Sequence, residues 1–180
     1  MVYSAERLNN WIKRLEEAEN DEEVFKILDQ FVEDVVIACL SLLRALNERE
    51  IRKGEAIEQL KKAERVFDVR RSFGEELKDE FFAFSVESAK AVLRSFRYYL
   101  EGKSSKKSFE SLLKEALKSE AEGDLEAAMD AVARMGAKVI KGEKLPELDI
   151  NDGGIVLSWI DGVDAISTVI ELSRIDAPTE

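Results

Sequence analysis

The sequence contains no histidine and only one cysteine, Cys39. Without histidine the chain cannot form Ser-His-Asp or Cys-His catalytic systems, and it lacks one of the two main zinc ligands. A lone cysteine also excludes an internal disulfide. Because Cys39 lies in the most apolar stretch of the chain, we expect it to be a buried hydrophobic residue rather than a nucleophile. The sequence therefore predicts no catalytic residue and no bound cofactor.

Long apolar runs and side-chain amides are also scarce. No apolar run approaches the ~20 residues of a membrane span, and the first residues lack the apolar segment of a signal peptide. We therefore predict a cytoplasmic protein without membrane contact. The chain has only five Asn and two Gln beside abundant Glu, Lys and Arg. That bias is typical of thermophilic proteins.

Positive charge is in short supply, since the net charge is −11. An acidic chain has little general affinity for nucleic acid or anionic lipid, because each phosphate contact needs a free Lys or Arg. The composition, 45% hydrophobic and 36% charged, is that of a folded protein. The length suits one domain, which we place at residues 1–175, with residues 176–180 as a frayed tail.

The dominant hydrophobic period is that of an α-helix. A first helix is predicted from about Ser4 to Glu19, and a second, capped by Asn20 or Asp21, carries a broad apolar stripe as far as Leu46. A third begins near Gly54. A fourth begins at a capping box formed by Ser72 and Glu75, runs to Leu100 and stops at Gly102. At ~1.5 Å per residue the second and fourth helices each reach roughly 40 Å.

Three shorter helices complete the pattern. One starts at Phe109 and stops near Gly123, and the next runs from an Asp124 cap to Gly142. After a loop from Lys144 to Gly154, the last helix spans about Ile155 to Ser173. No segment alternates with period two. The sequence therefore predicts an all-α, antiparallel bundle of six or seven helices with two long central helices.

Four segments resemble an uncharacterised archaeal family of small all-helical proteins of unknown function. They are residues 3–11 (YSAERLNNW), 33–40 (EDVVIACL), 136–140 (GAKVI) and 159–167 (WIDGVDAIS). They span nearly the whole chain, so the resemblance is full-length. It implies an archaeal source and transfers no catalytic residue.

Acidic residues supply the candidates for a metal site. Glu55-x-x-Glu58 followed by Glu76-x-x-Asp79 resembles the carboxylate pattern of all-α MazG-type pyrophosphohydrolases, which hold Mg²⁺ against a nucleoside triphosphate. The helical phase of the four carboxylates nevertheless points them at solvent, away from any partner helix. Three other acidic residues lie nearer the apolar faces and are further metal candidates: Asp34, Asp161 and Asp164.

A basic segment between residues 89 and 107 offers a candidate patch for a phosphate or a protein partner. Its side chains would be Arg94, Arg97, Tyr98, Lys103, Lys106 and Lys107. Because Phe96, Tyr99 and Leu100 share the core face, Tyr98 is expected to be the exposed ring. The alternative is an ordinary charged surface in which the arginines pair with nearby acids.

Surplus apolar surface favours an interaction protein over an enzyme. Ile37 and Leu40 lie outside the main stripe of the second helix, Phe82 and Phe84 flank that of the fourth, and residues 155–160 are densely apolar. Exposed apolar patches mark interfaces. We therefore expect a non-enzymatic helical scaffold that binds a protein partner or itself as a homo-oligomer. The alternatives are the Mg²⁺-dependent pyrophosphohydrolase and a phosphate- or nucleic-acid-binding regulator that uses the basic segment, although nucleic acid fits the net charge poorly.

Overall fold

A computed structural model describes residues 1–151 and 154–175, and within them the chain forms seven helices and no strand. The helices are α1 (Ala5–Glu17), α2 (Asp21–Asn47), α3 (Lys53–Val66), α4 (Glu76–Leu100), α5 (Phe109–Ala121), α6 (Leu125–Lys141) and α7 (Ile155–Ile175). The predicted all-α bundle is confirmed, and α2 and α4 are the two long helices, with 27 and 25 residues. The predicted frayed tail, residues 176–180, lies outside the described residues.

Helix α4 is the centre of the packing. It contacts α6 and α7 most extensively and also packs against α2 and α3. Buried apolar side chains from all seven helices join in one large cluster. Cys39 is completely buried within it, and this burial raises the pKa of the thiol. The prediction that Cys39 is a core residue is therefore confirmed.

Small residues allow α4 to approach two neighbouring helices closely. A Cβ atom added to Gly162 in α7 would lie 2.3 Å from the carbonyl oxygen of Ser88, and one added to Gly136 in α6 would lie 1.9 Å from the Ser95 hydroxyl. The Ser88 hydroxyl also donates a 2.7 Å hydrogen bond to the carbonyl of Ser158 in α7. These contacts fix where α6 and α7 cross α4.

Most predicted helix ends are confirmed. Asn20 and Asp124 accept hydrogen bonds from the backbone N–H groups of Glu23 and Ala127, at 2.9 and 3.1 Å. Helices α4, α5 and α6 end at glycines with positive φ, as expected for C-terminal caps: Gly102, Gly123 and Gly142.

The capping box predicted at Ser72 and Glu75 is wrong. Gly74 adopts φ 77°, a left-handed conformation that interrupts the helix, so α4 begins only at Glu76. The Ser72 hydroxyl instead donates to Asp79 at 2.9 Å, and the same carboxylate accepts from the backbone N–H of Phe73 at 2.5 Å. Asp79 therefore organises the turn that precedes α4.

Internal packing uses most of the surplus apolar surface. Phe82, Val156, Trp159 and Ile160 are all buried, because α7 lies against α4, α6 and α2. Ile37 remains half exposed, at 50%. The apolar residues that suggested self-association are therefore mostly part of the protein's own core.

Candidate functional site

The most distinctive surface is a groove along α7. One side is the irregular segment 145–150, which lies beside Leu157, Ile160, Asp161 and Asp164 and encloses about 760 Å³. Asp161 and Asp164 also border a smaller concavity of about 150 Å³ between α7 and α2, where Asp29 and Glu33 face them. Because the two concavities share Asp161 and Asp164, we treat them as one surface, the acidic groove.

The segment that forms the wall of the groove has a simple local pattern. Glu147 and Asp149 are exposed, whereas Leu148 and Ile150 are partly buried and pack against the core. Alternation of this kind sends neighbouring side chains to opposite sides of an extended chain. The segment therefore packs its apolar side chains against the core and leaves its two carboxylates exposed in the lining of the groove.

The acidic groove contains negative charge without compensation. Six carboxylates line it and no Lys or Arg does, within the part of the chain that the structure describes. They are Asp29, Glu33, Glu147, Asp149, Asp161 and Asp164. Partial desolvation raises the pKa of Asp161, and the nearby charges of Asp164 and Asp29 raise it further. A cationic group placed in the groove would relieve this repulsion.

Comparison with known protein families gives a match over almost the whole chain. A family described as an uncharacterized protein conserved in archaea (DUF2150) matches residues 1–176. The chain belongs to this family. The resemblance found in the sequence is thereby confirmed. Neither curated proteins nor solved structures gave a significant match.

Two of the four segments that carried the resemblance to DUF2150 meet at Asp34. Its carboxylate accepts hydrogen bonds from the Tyr3 hydroxyl at 2.7 Å, from Arg7 at 2.6 and 2.9 Å, and from the Trp11 indole at 3.0 Å. Partial burial opposes ionisation, but these donors outweigh it and lower the pKa of Asp34. Asp34 therefore joins α2 to the N-terminal segment, and it does not line the acidic groove.

The other two segments contain the close crossings at Gly136 and Gly162. All four segments of the DUF2150 resemblance thus include residues with an evident role in packing. The segment 159–167 also supplies Asp161 and Asp164, the two acidic residues shared by both parts of the groove.

The carboxylates of the predicted pyrophosphohydrolase site are not brought together. Glu55 accepts from the backbone N–H of Arg52 at the start of α3, and Glu58 pairs with Lys61 at 3.4 Å on an exposed surface. Asp79 organises the turn before α4, and Glu76 is exposed. No group of three or more acidic or cysteine side chains that could hold a metal ion occurs among the described residues. The structure therefore gives the Mg²⁺ alternative no support.

Most cationic side chains of the predicted basic patch form ion pairs with nearby acids. Arg94 and Arg97 turn toward Glu64 of α3, with N–O distances of 3.0 and 3.3 Å. Farther along the chain, Lys103 pairs with Glu101 and Lys107 with Glu115, while Lys106 is exposed. Glu101 also pairs with Arg97 at 3.1 Å, so Arg97 and Lys103 share one acid. Four of the five cationic residues of the predicted patch thus pair with acids that the structure describes.

The expectation for Tyr98 is wrong. Its ring is only 6% exposed, packs near Ala133 and Ala137, and donates its hydroxyl proton to Asp130 at 2.7 Å. Tyr99 is the exposed ring, at 36%. The helical stripe misassigned the two rings because α4 is covered on several sides, so that a single core face does not describe it.

Sequence reasoning found Asp161 and Asp164 but missed the other wall of the groove. Glu147 and Asp149 lie in the predicted loop from Lys144 to Gly154. Its alternation of acidic and apolar residues is visible in the sequence. Glu33, the other groove carboxylate on α2 beside Asp29, is exposed. Among the described residues, no helix combines the length and apolar character that a membrane span needs.

Proposed function

We propose that this protein is a non-enzymatic interaction protein whose acidic groove binds a basic, amphipathic segment of another protein. The observation that carries the proposal is that six carboxylates, and no Lys or Arg among the described residues, line a partly apolar concavity. Complementary charge gives specificity and a fast encounter, whereas apolar contact gives most of the affinity.

The geometry favours a peptide segment over a metal ion or a small molecule. The carboxylates come from two helices and the irregular segment 145–150, and the described ones do not converge as a set of metal ligands. Apolar side chains lie between them, among them the partly exposed Leu148, Ile150 and Leu157. An amphipathic helix presents an apolar stripe flanked by lysines, which matches this arrangement.

A labelled peptide provides the direct test. The probe is a fluorescein-labelled helical peptide of about 18 residues, ~27 Å long, with Leu on one face and Lys on its flanks. We expect saturable binding in fluorescence anisotropy at 50 mM NaCl that weakens at 300 mM NaCl, because surface charge is screened. A scrambled peptide of the same composition should bind at least fivefold more weakly, since it lacks the apolar stripe.

Matched variants locate the binding site. Asp161→Asn/Asp164→Asn should weaken binding about tenfold, as expected for the loss of two ion pairs of up to ~1 kcal/mol each. Glu110→Gln/Glu122→Gln makes the same change in net charge on exposed positions of α5 and its C-terminal cap. That control should bind within twofold of the parent protein. An equal loss of affinity in both variants would contradict binding at the acidic groove. Equal affinity for the scrambled and the amphipathic peptide would contradict it as well.

Several narrower predictions belong with this proposal. Self-association should appear in light scattering of the protein alone, and Asp161→Asn/Asp164→Asn should abolish it if a second copy fills the groove. A cytoplasmic location and a thermophilic source remain predictions. Melting near ~50 °C in calorimetry, the usual range of mesophilic domains, would contradict the thermophilic source.

A further inference from the structure

A second cleft lies on another part of the molecule, between α3 and α4 and beside the N-terminal ends of α6 and α7. It encloses about 540 Å³, within the range of small-molecule sites. Five cationic side chains line it: Lys61, Arg65, Lys90, Arg94 and Arg97. Four carboxylates line it as well: Glu64, Asp68, Glu87 and Glu126. This cleft therefore carries one net positive charge in a chain whose net charge is −11.

The inner cations are held in fixed positions by ion pairs. Glu64 accepts from Arg94 Nε at 3.0 and 3.2 Å and from Arg97 Nε at 3.3 Å. Lys90 pairs with Asp68 at 3.3 Å and with Glu87 at 3.2 Å. The Arg94 and Arg97 side chains are only 21% and 15% exposed. The inner wall is thus preorganised and nearly neutral.

The outer cations are less well compensated. Arg65 has no ion pair with any residue that the structure describes, and Lys61 pairs only with the exposed Glu58. The outer edge of Arg94 faces Glu126, with Nη1 and Oε2 4.0 Å apart, and the Glu126 side chain is 91% exposed. An incoming anion can therefore take the place of Glu126 without disturbing the inner pairs.

Part of the lining of the cleft is apolar. Leu125 is 46% exposed and Ile155 is partly buried, whereas Met129 and Trp159 lie behind them with 7% and 4% exposed. The Trp159 indole is oriented by a 2.8 Å hydrogen bond to Glu87. A ligand in this cleft would place an anionic group by Arg65 and Arg94 and an apolar group against Leu125 and Ile155, next to the edge of Trp159.

We propose that this cleft binds a small organic anion, a carboxylate or phosphate monoester joined to a compact apolar group. Guanidinium groups suit both kinds of anion. A polyphosphate does not fit, because the four carboxylates of the lining would repel its additional charges. The site is independent of the acidic groove, so either proposal can fail without affecting the other.

Tryptophan fluorescence gives a direct readout. The chain has two Trp residues, so Trp11→Phe leaves Trp159 as the only indole reporter. We expect saturable changes in its emission with benzoate and with phenyl phosphate, and none with benzyl alcohol, which lacks the anion. No saturable change with either anion up to about 10 mM, a Kd that corresponds to only ~3 kcal/mol, would overturn the proposal.

Two pairs of variants then test the position of the anion. Arg65→Gln should weaken binding about threefold to fivefold, whereas Lys62→Gln, the same charge change on an exposed neighbour outside the cleft, should leave it within twofold. Glu126→Gln should strengthen binding about twofold, because it removes the competing carboxylate, and Glu122→Gln should not. Weakening by Glu126→Gln, or equal losses for Arg65→Gln and Lys62→Gln, would overturn the proposal.

Discussion

Two aspartates in this protein have opposite surroundings. Asp34 accepts hydrogen bonds from Tyr3, Arg7 and Trp11, which lower its pKa against the effect of partial burial. Asp161 is partly desolvated in the acidic groove and faces Asp164 and Asp29, so its pKa is raised. Asp34 therefore has hydrogen-bond donors around it, whereas the charged neighbours of Asp161 among the described residues are carboxylates.

The two aspartates differ in role: the charge of Asp34 stabilises the fold, whereas the charge of Asp161 is available for binding. A carboxylate satisfied by hydrogen bonds makes the native state more stable above its ordinary pKa. A carboxylate crowded by other carboxylates makes the native state less stable when it is ionised, and a bound cation removes that cost. We therefore propose binding at the acidic groove and not at Asp34.

The largest expected effect is at Asp34. Asp34→Asn should lower the free energy of unfolding at pH 7 by about 2–3 kcal/mol, because the amide cannot accept all the hydrogen bonds that the carboxylate accepts. The pKa of Asp34 is lowered, so its contribution is present above pH ~4 and is lost as the pH falls through the native pKa. Urea unfolding at pH 7 and at about pH 3 measures both effects.

The neighbouring acid supplies the control for this experiment. Glu33 is exposed and lines the acidic groove, so Glu33→Gln should leave stability unchanged or raise it slightly. If Glu33→Gln and Asp34→Asn lowered the free energy of unfolding equally, the hydrogen bonds of Asp34 would not be what stabilises the fold.

A smaller loss is expected at Glu64, a compensated carboxylate in the second cleft. Glu64→Gln should cost about 1–2 kcal/mol, since it leaves Arg94 and Arg97 partly buried without their shared partner. Glu58→Gln, on the exposed side of the same helix, should change stability by less than ~0.5 kcal/mol. Thermal unfolding of the two variants side by side measures the difference, and no loss in Glu64→Gln would refute the compensating role.

The smallest effect should have the opposite sign. Asp161→Asn should raise the free energy of unfolding at pH 7 by about 0.5 kcal/mol, a small figure because the side chain is exposed to solvent. The pKa of Asp161 is raised, so this gain is present above the native pKa and disappears as the pH falls toward ~4. Urea unfolding at pH 7 and pH 3.5 tests this prediction. A loss of stability at pH 7 would contradict the idea that neighbouring carboxylates repel Asp161.

Much of the local structure could be predicted from the sequence. The apolar period of 3.6 residues located all seven helices, and the caps at Asn20, Asp124 and the terminal glycines followed from residue type alone. One error arose from a local backbone conformation and the other from a contact between helices. Ser72 does not cap α4, because Gly74 has a positive φ and the Ser72 hydroxyl donates to Asp79. Tyr98 is buried because Ala133 and Ala137 of α6 pack against it.

The sites were less predictable than the helices. Asp161 and Asp164 were recognisable as acidic residues near an apolar face, but their partners in space were not. Glu147 lies 14 positions before Asp161 and Asp29 lies 132 positions before it, so no local spacing connects them. Sequence charge likewise suggested a single basic patch, whereas Glu64 from another helix neutralises part of it.

The sequence by itself determined an acidic all-helical chain without histidine, because helical periodicity and composition depend only on the order of residues. Tertiary structure alone decided which carboxylates are compensated. Asp34 receives hydrogen bonds because α1 and the segment before it pack on α2. None of the described donors reaches Asp161, because the parts of α2 and of the 145–150 segment that face it carry carboxylates. Electrostatic interactions depend on distances in space, and those distances were set by close helix crossings such as that of Gly162 on Ser88.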